Sequence, residues 1–301
     1  MNATPDIAQL RDEMGKVAEA VGTALDRLLP TVDDYEARVF EAMRYATLAG
    51  GKRLRPFLVL ASAALFDVPT ARATRVACAL ECVHTYSLVH DDLPCMDDDD
   101  LRRGMPTTHK KFDEATAVLA GDGLLTLAFE LIADPETHHD PLVRSELVLA
   151  LAKAAGAHGM VGGQMIDLMA EDHELDIGEV TRLQQMKTGA LIRFAVEAGG
   201  IMGRATREQQ HALQNYAHDL GLAFQIIDDL LDVEGSAEEM GKAVGKDADG
   251  GKATFVSLLG IERARTQADM LASQAAVHLD AFDDRAELLR ILPHFVTNRR
   301  H

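Results

Sequence analysis

The stretch VDDYEARVFEAMRYATLAGG, residues 32–51, decides the fold class. Its apolar residues recur at spacings of three and four, which is the repeat of one face of an α-helix. These residues are Val32, Tyr35, Val39, Met43, Ala46 and Leu48. Gly50 and Gly51 close the stretch, as expected of a helix that ends at a glycine C-cap. The pattern therefore predicts an amphipathic helix.

The same repeat continues along most of the chain. Similar segments run through about residues 70–90, 115–132, 141–170, 178–200, 206–232 and 253–275, with short turns between them. No alternation of period two indicates a strand, and no stretch rich in Gly, Ser or Pro marks a domain boundary. We therefore predict an all-α fold, with a single large helical domain over residues 1–301.

The composition limits the classes of function. Hydrophobic residues make up 47% of the chain, enough for a sizeable core, and the formal net charge of −18 disfavours nucleic acid and anionic membrane surfaces as partners. The most apolar run, Phe57–Phe66, is half of the roughly 20 residues of a membrane helix. Cys78, Cys82 and Cys95 are too few for a disulfide framework. We expect a cytoplasmic enzyme with reduced thiols, no nucleic-acid partner and no membrane insertion.

Two acidic motifs are each predicted at the end of an apolar helix: LVHDDLPCMDDDD, residues 88–100, and FQIIDDLLD, residues 224–232. In the second motif Asp228 and Asp232 are four residues apart, so their carboxylates lie about 40° apart on one helix face. Carboxylate oxygens are hard ligands that suit Mg²⁺ together with substrate phosphates. A single acidic run is more often a solvated helix end. The presence of two motifs favours two metal-binding walls that face one cavity.

The first motif requires a break in its helix. Asp91 and Asp97 are six residues apart, which a regular helix would place about 120° apart. Pro94 cannot continue a regular helix, because it lacks an N–H donor and clashes with the preceding turn. A bulge at LPCM is therefore predicted to return Asp97 to the side of Asp91.

Basic residues form clusters against the negative background. They lie in GGKRLRP (residues 50–56), LRRG (101–104) and KTG (187–189), and at Lys242, Lys246 and Lys252, of which Lys246 is interpreted as an ordinary solvated side chain. Arginine forks suit phosphate, and a glycine pair lets backbone N–H groups approach an anion. The GxxxxGK[ST] sequence of a nucleotide-binding P-loop is absent. Alternating acidic and basic clusters predict a diphosphate bridged by Mg²⁺, over which the basic C-terminal sequence VTNRRH, residues 296–301, could close.

The motifs GGKRLRP, DDLPCMD, LRRG, GGQMIDL, KTG and FQIIDDLLD occur in an order that resembles the trans-isoprenyl diphosphate synthases, and within them the bacterial farnesyl diphosphate synthases. The resemblance covers about residues 30–275. It implies a homodimer of helical subunits, each with a deep central cavity and three Mg²⁺ ions. It also implies a reaction of ionisation, condensation and elimination, in which isopentenyl diphosphate is joined to dimethylallyl or geranyl diphosphate.

The resemblance implies a role for each motif residue. The implied metal ligands are Asp91, Asp92, Asp97, Asp228 and Asp232. The residues implied to hold the allylic diphosphate are Arg102, Lys187, Lys242 and Lys252. Those implied to hold isopentenyl diphosphate are Gly51, Lys52, Arg55, His84 and Arg103. Thr188 and Gln225 are expected to contact substrate and stabilise the carbocation, although Gln225 could equally be a satisfied buried amide. The catalytic set is thus Lys187, Thr188, Gln225, Asp91 and Asp228.

The residues before the first motif bear on product length. Tyr86 lies five residues before Asp91, about 7–8 Å along a helix, so a prenyl chain that grows away from the metals would meet its ring. In the resembling family an aromatic residue here accompanies a C15 product. We predict farnesyl diphosphate, with Tyr86 and Ser87 as chain-length residues. A C10 or C20 product is the alternative, because neighbouring helices also shape the cavity floor.

Other classes of protein fit the sequence less well. A class I terpene cyclase shares the expected fold, but cyclases line their cavity with aromatic residues, and here these are 5% of the chain with no Trp. The pair in VHDD is similar to that of metal-dependent phosphohydrolases, which would leave the second acidic motif unexplained. A non-catalytic partner subunit would be expected to have lost one motif. Prenyl transfer accounts for both motifs.

Overall fold

A computed structural model describes residues 6–170, 173, 175–234 and 253–299. Its helices are α1 (Ile7–Leu28), α2 (Ala37–Leu48), α3 (Leu54–Ala64), α4 (Thr70–Asp91), α5 (Thr108–Lys111), α6 (Glu114–Ala133), α7 (Pro141–Ala155), α8 (Met160–Met169), α9 (Ile177–Gln184), α10 (Ala190–Met202), α11 (Arg207–Glu234), α12 (Phe255–Leu259), α13 (Ile261–His278) and α14 (Glu287–Thr297). A π-helical turn, Gln185–Gly189, joins α9 to α10, and a 3₁₀ turn, Asp284–Ala286, precedes α14. In the described residues the strands are β1 (Leu101–Arg102) and β2 (Met105–Pro106), which pair as an antiparallel hairpin. The predicted all-α class is confirmed.

The helix predicted within residues 32–51 is shorter than the apolar repeat of that stretch. It begins at Ala37, so that Val32 and Tyr35 lie in the preceding segment and are exposed to solvent. Its end agrees with the sequence, because Gly50 has a φ of 82°, the left-handed conformation that glycine adopts without steric cost.

Two of the predicted helical segments are each divided. The segment over residues 141–170 breaks between α7 and α8, where an added Cβ at Gly159 would lie 2.1 Å from the Ala154 carbonyl oxygen. The segment over residues 253–275 breaks at Gly260, which has a φ of 81° and separates α12 from α13. In each case glycine allows a backbone course that other residues would resist.

The main core surrounds α4. This helix packs between α3 and α6, and α10 packs against α3. A buried ion pair fixes the turn between α2 and α3 to α4: Arg53 Nη1 donates to Glu81 Oε1 at 2.6 Å and Nη2 donates to the Thr47 carbonyl oxygen at 2.5 Å. Arg53, one of the cations of GGKRLRP, therefore has a structural role that positions its neighbours.

A second apolar cluster joins α9, α11, α12 and α13. Ile226, Ile227 and Leu230 of α11 are buried in it. Asp229 is also buried there, and its Oδ2 accepts a hydrogen bond from the Phe255 N–H at 2.8 Å. The second acidic motif was expected at a helix end, but α11 continues past it to Glu234.

Helix α6 is long and apolar enough to span a membrane by length and composition alone. The most apolar run predicted from the sequence was Phe57–Phe66, whereas the structure shows the longer apolar helix at Glu114–Ala133. In the fold α6 packs against α4 and also contacts α2, α5 and α7. Ala120, Leu124 and Ala128 of α6 are fully buried in these contacts. A helix of the protein core has the same composition as a membrane helix, and α6 serves here as a core helix.

Candidate active site

A cavity of about 480 Å³ lies between α4, α8 and the π-helical turn. Seven residues predicted from the sequence line it: Arg55, His84, Tyr86, Ser87, Asp91, Lys187 and Thr188. Apolar side chains of α6 and α8, among them Val118, Met160 and Met165, form much of the remaining wall. Charged groups and an apolar lining therefore share one hollow.

The first acidic motif folds back on itself, as Pro94 predicted. Helix α4 ends at Asp91, and the Asp97 N–H then donates to the Asp91 carbonyl oxygen at 2.8 Å. Burial raises the pKa of Asp91 to about 6; the charge of Lys187 opposes this rise and that of Asp97 adds to it. A divalent cation beside Asp91 and Asp97 would relieve both the burial of charge and the repulsion. The oxygen donors of this motif thus fit Mg²⁺.

Asp92 and Arg102 are paired with each other. Asp92 is buried, and its Oδ1 accepts from Arg102 Nε at 2.7 Å. Burial raises the pKa of Asp92, and the bond from Arg102 opposes the rise. The sequence assigned these side chains separately to a metal and to a diphosphate, whereas the structure joins them in one ion pair.

The second acidic motif faces the GGKRLRP turn and the C-terminal segment. Arg299 Nη2 lies 2.5 Å from Asp228 Oδ1, and its guanidinium carbon lies 4.1 Å from the centre of the Phe224 ring. Burial lowers the pKa values of Lys52 and Arg55, and the charge of Asp228 acts on both in the opposite direction. Arg55 lines the cavity, but the described residues of FQIIDDLLD are not among its lining residues, so the expectation that both acidic motifs face one cavity stays a prediction.

The GGKRLRP turn is built on a close approach of two segments. Gly51 has a φ of 124°, and an added Cβ there would lie 2.8 Å from the guanidinium carbon of Arg103. Arg103 Nη1 donates to the Gly50 carbonyl oxygen. Glycine is therefore required at this position, and it brings Arg103 of the hairpin β1–β2 against the turn that carries Lys52.

Arg55 and His84 lie side by side on α3 and α4. Arg55 Nη1 is 3.4 Å from His84 Nε2, and both residues line the cavity. Burial, together with the Arg55 charge, holds the pKa of His84 well below its usual range. His84 is therefore a neutral imidazole that can offer a lone pair to Arg55 or a hydrogen bond to a ligand.

The KTG sequence forms the π-helical turn, a geometry that is frequent at functional sites. Lys187 Nζ donates to Asp167 Oδ2 at 2.7 Å. Asp167 was not among the predicted site residues, although GGQMIDL, which contains it, was noted as a motif. An added Cβ at Gly163 of the same motif would lie 2.2 Å from the Lys187 backbone nitrogen. GGQMIDL thus allows α8 to lie directly against the turn.

The other predicted site residues lie on α4 and α11 or outside the described part of the chain. Gln225 Nε2 donates to Gln184 Oε1 at 2.7 Å, so its amide is partly satisfied beside the π-helical turn. The Tyr86 ring is buried and lies edge-on to His90, with 5.7 Å between the ring centres. Asp232 lies one turn beyond Asp228 on α11. Lys242, Lys246 and Lys252 lie outside the described residues.

Comparison with known proteins places this site in a family. The profile of the polyprenyl synthetase family matches residues 36–291. Farnesyl diphosphate synthase of Geobacillus stearothermophilus is 44% identical over 98% of this chain and 100% of its own. Geranylgeranyl pyrophosphate synthase 4 of Arabidopsis thaliana is 42% identical over 94% of this chain and 76% of its own. The crystal structure of an FPP/GFPP synthase from Zymomonas mobilis has 50% identity and a TM-score of 0.88, and it covers 96% of this chain and 99% of its own.

The chain therefore belongs to the polyprenyl synthetase family. Its activity is prenyl transfer with isopentenyl and allylic diphosphates as substrates, as the order of motifs predicted. This result favours the transferase over the terpene cyclase and the phosphohydrolase. Relatives named for farnesyl and for geranylgeranyl products are similarly close, so that family membership does not by itself determine chain length.

Proposed function

We propose that this chain condenses isopentenyl diphosphate with dimethylallyl or geranyl diphosphate and stops at farnesyl diphosphate (C15). The observation that carries the proposal is the position of Tyr86, which lines the same cavity as Asp91 from the same helix. An allylic chain whose diphosphate lies at Asp91 meets this ring after about 7–8 Å. The alternative is a C20 product, which the relatives named geranylgeranyl pyrophosphate synthase support.

The carboxylates are assigned to the metal. Asp91, Asp97 and Asp228 would bind Mg²⁺ through oxygen donors, with Asp92 and Asp232 beside them. When bound, Mg²⁺ supplies positive charge that stabilises the diphosphate as it leaves the allylic carbon. The number of three ions stays a prediction from the family resemblance.

The chain's own cations position the two diphosphates. Arg102 and Lys187, close to Asp91, hold the allylic diphosphate, where their fixed charge stabilises the negative charge that develops on it. Lys52, Arg55 and Arg103, with the Gly51 N–H and neutral His84, hold isopentenyl diphosphate.

The cavity wall protects the carbocation. We assign stabilisation of its positive charge to the Thr188 hydroxyl, which lines the cavity, and to the Gln225 side-chain oxygen. Apolar lining residues such as Val118 and Met160 exclude water that would otherwise capture the carbocation. The proton lost after the new carbon–carbon bond forms goes to the departing diphosphate. The homodimer, the single domain and the cytoplasmic location stay predictions.

The proposal is tested by incubating the purified protein with isopentenyl and dimethylallyl diphosphates and Mg²⁺, so that C10, C15 and C20 chains are all new products. Products are dephosphorylated and identified by gas chromatography and mass spectrometry. We expect a C15 alcohol as the main product and none when EDTA removes Mg²⁺. A main product of C10 or C20 would replace the C15 assignment, and a cyclic hydrocarbon or free phosphate alone would refute prenyl transfer.

A further inference from the structure

A second cluster of metal-ligating groups lies at the base of the hairpin β1–β2. A ring nitrogen of His109 and carboxylate oxygens of Asp98 and Asp100 lie within 4.8 Å of one another. The two aspartates precede β1 and the histidine follows β2. The three side chains therefore bring together both ends of the hairpin, and none of them is used in the reaction proposed above.

Hydrogen bonding determines which nitrogen of His109 carries the proton. Thr107 Oγ1 donates to the Asp99 carbonyl oxygen at 2.8 Å, so the hydroxyl presents its lone pairs to His109 Nδ1 at 3.2 Å. Nδ1 therefore carries the hydrogen and Nε2 carries a lone pair. A ring held in this way by an oxygen acceptor is the usual arrangement of a metal-binding histidine.

The Nε2 lone pair has no partner among the described residues. His109 is only 7% exposed, and its Nε2 atom is buried without a hydrogen bond. Buried polar atoms in folded proteins are paired in the great majority of cases. His109 is thus a buried ring with one unpaired nitrogen, and a nitrogen of this ring lies within 4.8 Å of carboxylate oxygens of Asp98 and Asp100, a set of donors that suits a cation.

We propose that Asp98, Asp100 and His109 bind a divalent transition-metal ion, with Zn²⁺ as the best match. One imidazole nitrogen with two carboxylates suits Zn²⁺, whereas Mg²⁺ prefers oxygen ligands alone. The ion connects the two ends of the hairpin that carries Arg102 and Arg103. Its role is to hold this hairpin in position beside the cavity.

Lys110 competes with the ion for the site. Its Nζ lies 2.8 Å from Asp100 Oδ1, and both side chains are exposed. A bound cation must displace this ammonium group or be repelled by it. Removal of the Lys110 charge therefore strengthens metal binding, an effect of opposite sign to the loss of a ligand.

The test is a calorimetric titration of Zn²⁺ into the full chain without an affinity tag, in excess Mg²⁺ so that the all-oxygen sites are filled. We expect one Zn²⁺ ion per chain, bound at least tenfold more weakly by Asp98→Asn and severalfold more tightly by Lys110→Met. Asp99→Asn is the matched control, because Asp99 belongs to the same loop but not to the cluster. Asp98, Asp99 and Lys110 are not buried, so these variants should fold.

A second measurement reports on the ligand itself. In protein labelled with ¹⁵N-histidine, Zn²⁺ should shift the Nε2 resonance of one histidine in the wild type and not in the Asp98→Asn and Asp100→Asn double variant. Absence of Zn²⁺ binding in the wild type would overturn the proposal. Equal Zn²⁺ affinity in the wild type and in Asp98→Asn would also overturn it. The same holds if Asp91→Asn abolishes Zn²⁺ binding and the histidine resonances of the wild type stay unshifted, because the ion would then lie at the first acidic motif.

Discussion

At the residue scale, Tyr86 lines the cavity, and we propose that its ring limits the length of the product. Tyr86→Ala removes this ring, and we expect the main product to lengthen from C15 to C20 in the coupled synthesis assay. Tyr86→Phe keeps the ring and should keep the C15 product. Because truncation of a buried aromatic costs about 3–5 kcal/mol, the melting temperature is measured in parallel. A C15 product from a folded Tyr86→Ala variant would show that the floor lies elsewhere.

The three cysteines should differ in reactivity. Burial raises the pKa of Cys78 to about 12 and that of Cys82 further, so both thiols stay protonated at pH 8. Cys95 is exposed and lines the cavity. We expect Ellman's reagent to modify one thiol per folded chain at pH 8, and Cys95→Ser to abolish this reaction. Geranyl diphosphate with Mg²⁺ should slow it. Fast modification of two thiols, or no protection by substrate, would contradict this view of the cavity.

Sequence reasoning succeeded for residues whose partners are close along the chain. Pro94 sufficed to predict that Asp97 returns to Asp91. It did not predict the pairs Asp167–Lys187 and Arg299–Asp228, whose members are 20 and 71 positions apart, although it suggested that the basic C-terminal sequence could close over the site. Such pairs arise only when helices pack, and local spacing carries no information about them.

At the scale of elements, α8 and the π-helical turn pack backbone against backbone. A Cβ at residue 163 would lie 2.2 Å from the Lys187 backbone nitrogen, so the backbones must separate in Gly163→Ala. We expect a loss of about 1–3 kcal/mol of stability from this overpacking, with a fall in kcat/KM as Lys187 moves.

The matched control for that change is Gly15→Ala on α1. An added Cβ at Gly15 meets nothing within 4 Å, so this substitution should leave kcat/KM unchanged and stabilise the helix by up to about 1 kcal/mol. Urea denaturation and steady-state kinetics measure both effects. Equal kinetics for the two variants would mean that the position of Lys187 does not depend on α8.

Helices with a long apolar repeat were the elements best predicted, since burial of one face determines both the pattern and the packing. The boundaries were predicted less well. The repeat passes through Gly156, Gly159 and Gly260 without interruption, although the chain turns at these positions. Turns of this kind depend on backbone contacts that a hydrophobic pattern does not record.

At the scale of the whole molecule, the C-terminal segment reaches the second acidic motif. Arg299 pairs with Asp228, so a metal ion at Asp228 must compete with this guanidinium group. Asp228 is partly exposed, and such pairs contribute about 0.2–1 kcal/mol. In Arg299→Gln, the Mg²⁺ concentration for half-maximal rate should therefore fall by up to about fivefold. Arg299→Lys retains the charge and serves as the control. An unchanged or raised Mg²⁺ requirement in Arg299→Gln would exclude the competition.

The hairpin β1–β2 carries Arg102 and Arg103 as consecutive residues, yet the first pairs with Asp92 and the second rests on the Gly51 turn. If Arg102 holds the allylic diphosphate and Arg103 holds isopentenyl diphosphate, as we propose, one peptide bond connects the two binding sites. Binding of one diphosphate is therefore expected to change the affinity of the protein for the other. Thermodynamic reciprocity requires each diphosphate to change the affinity for the other by the same factor. Titration of each diphosphate, alone and with a non-reactive analogue of the other, would reveal this synergy.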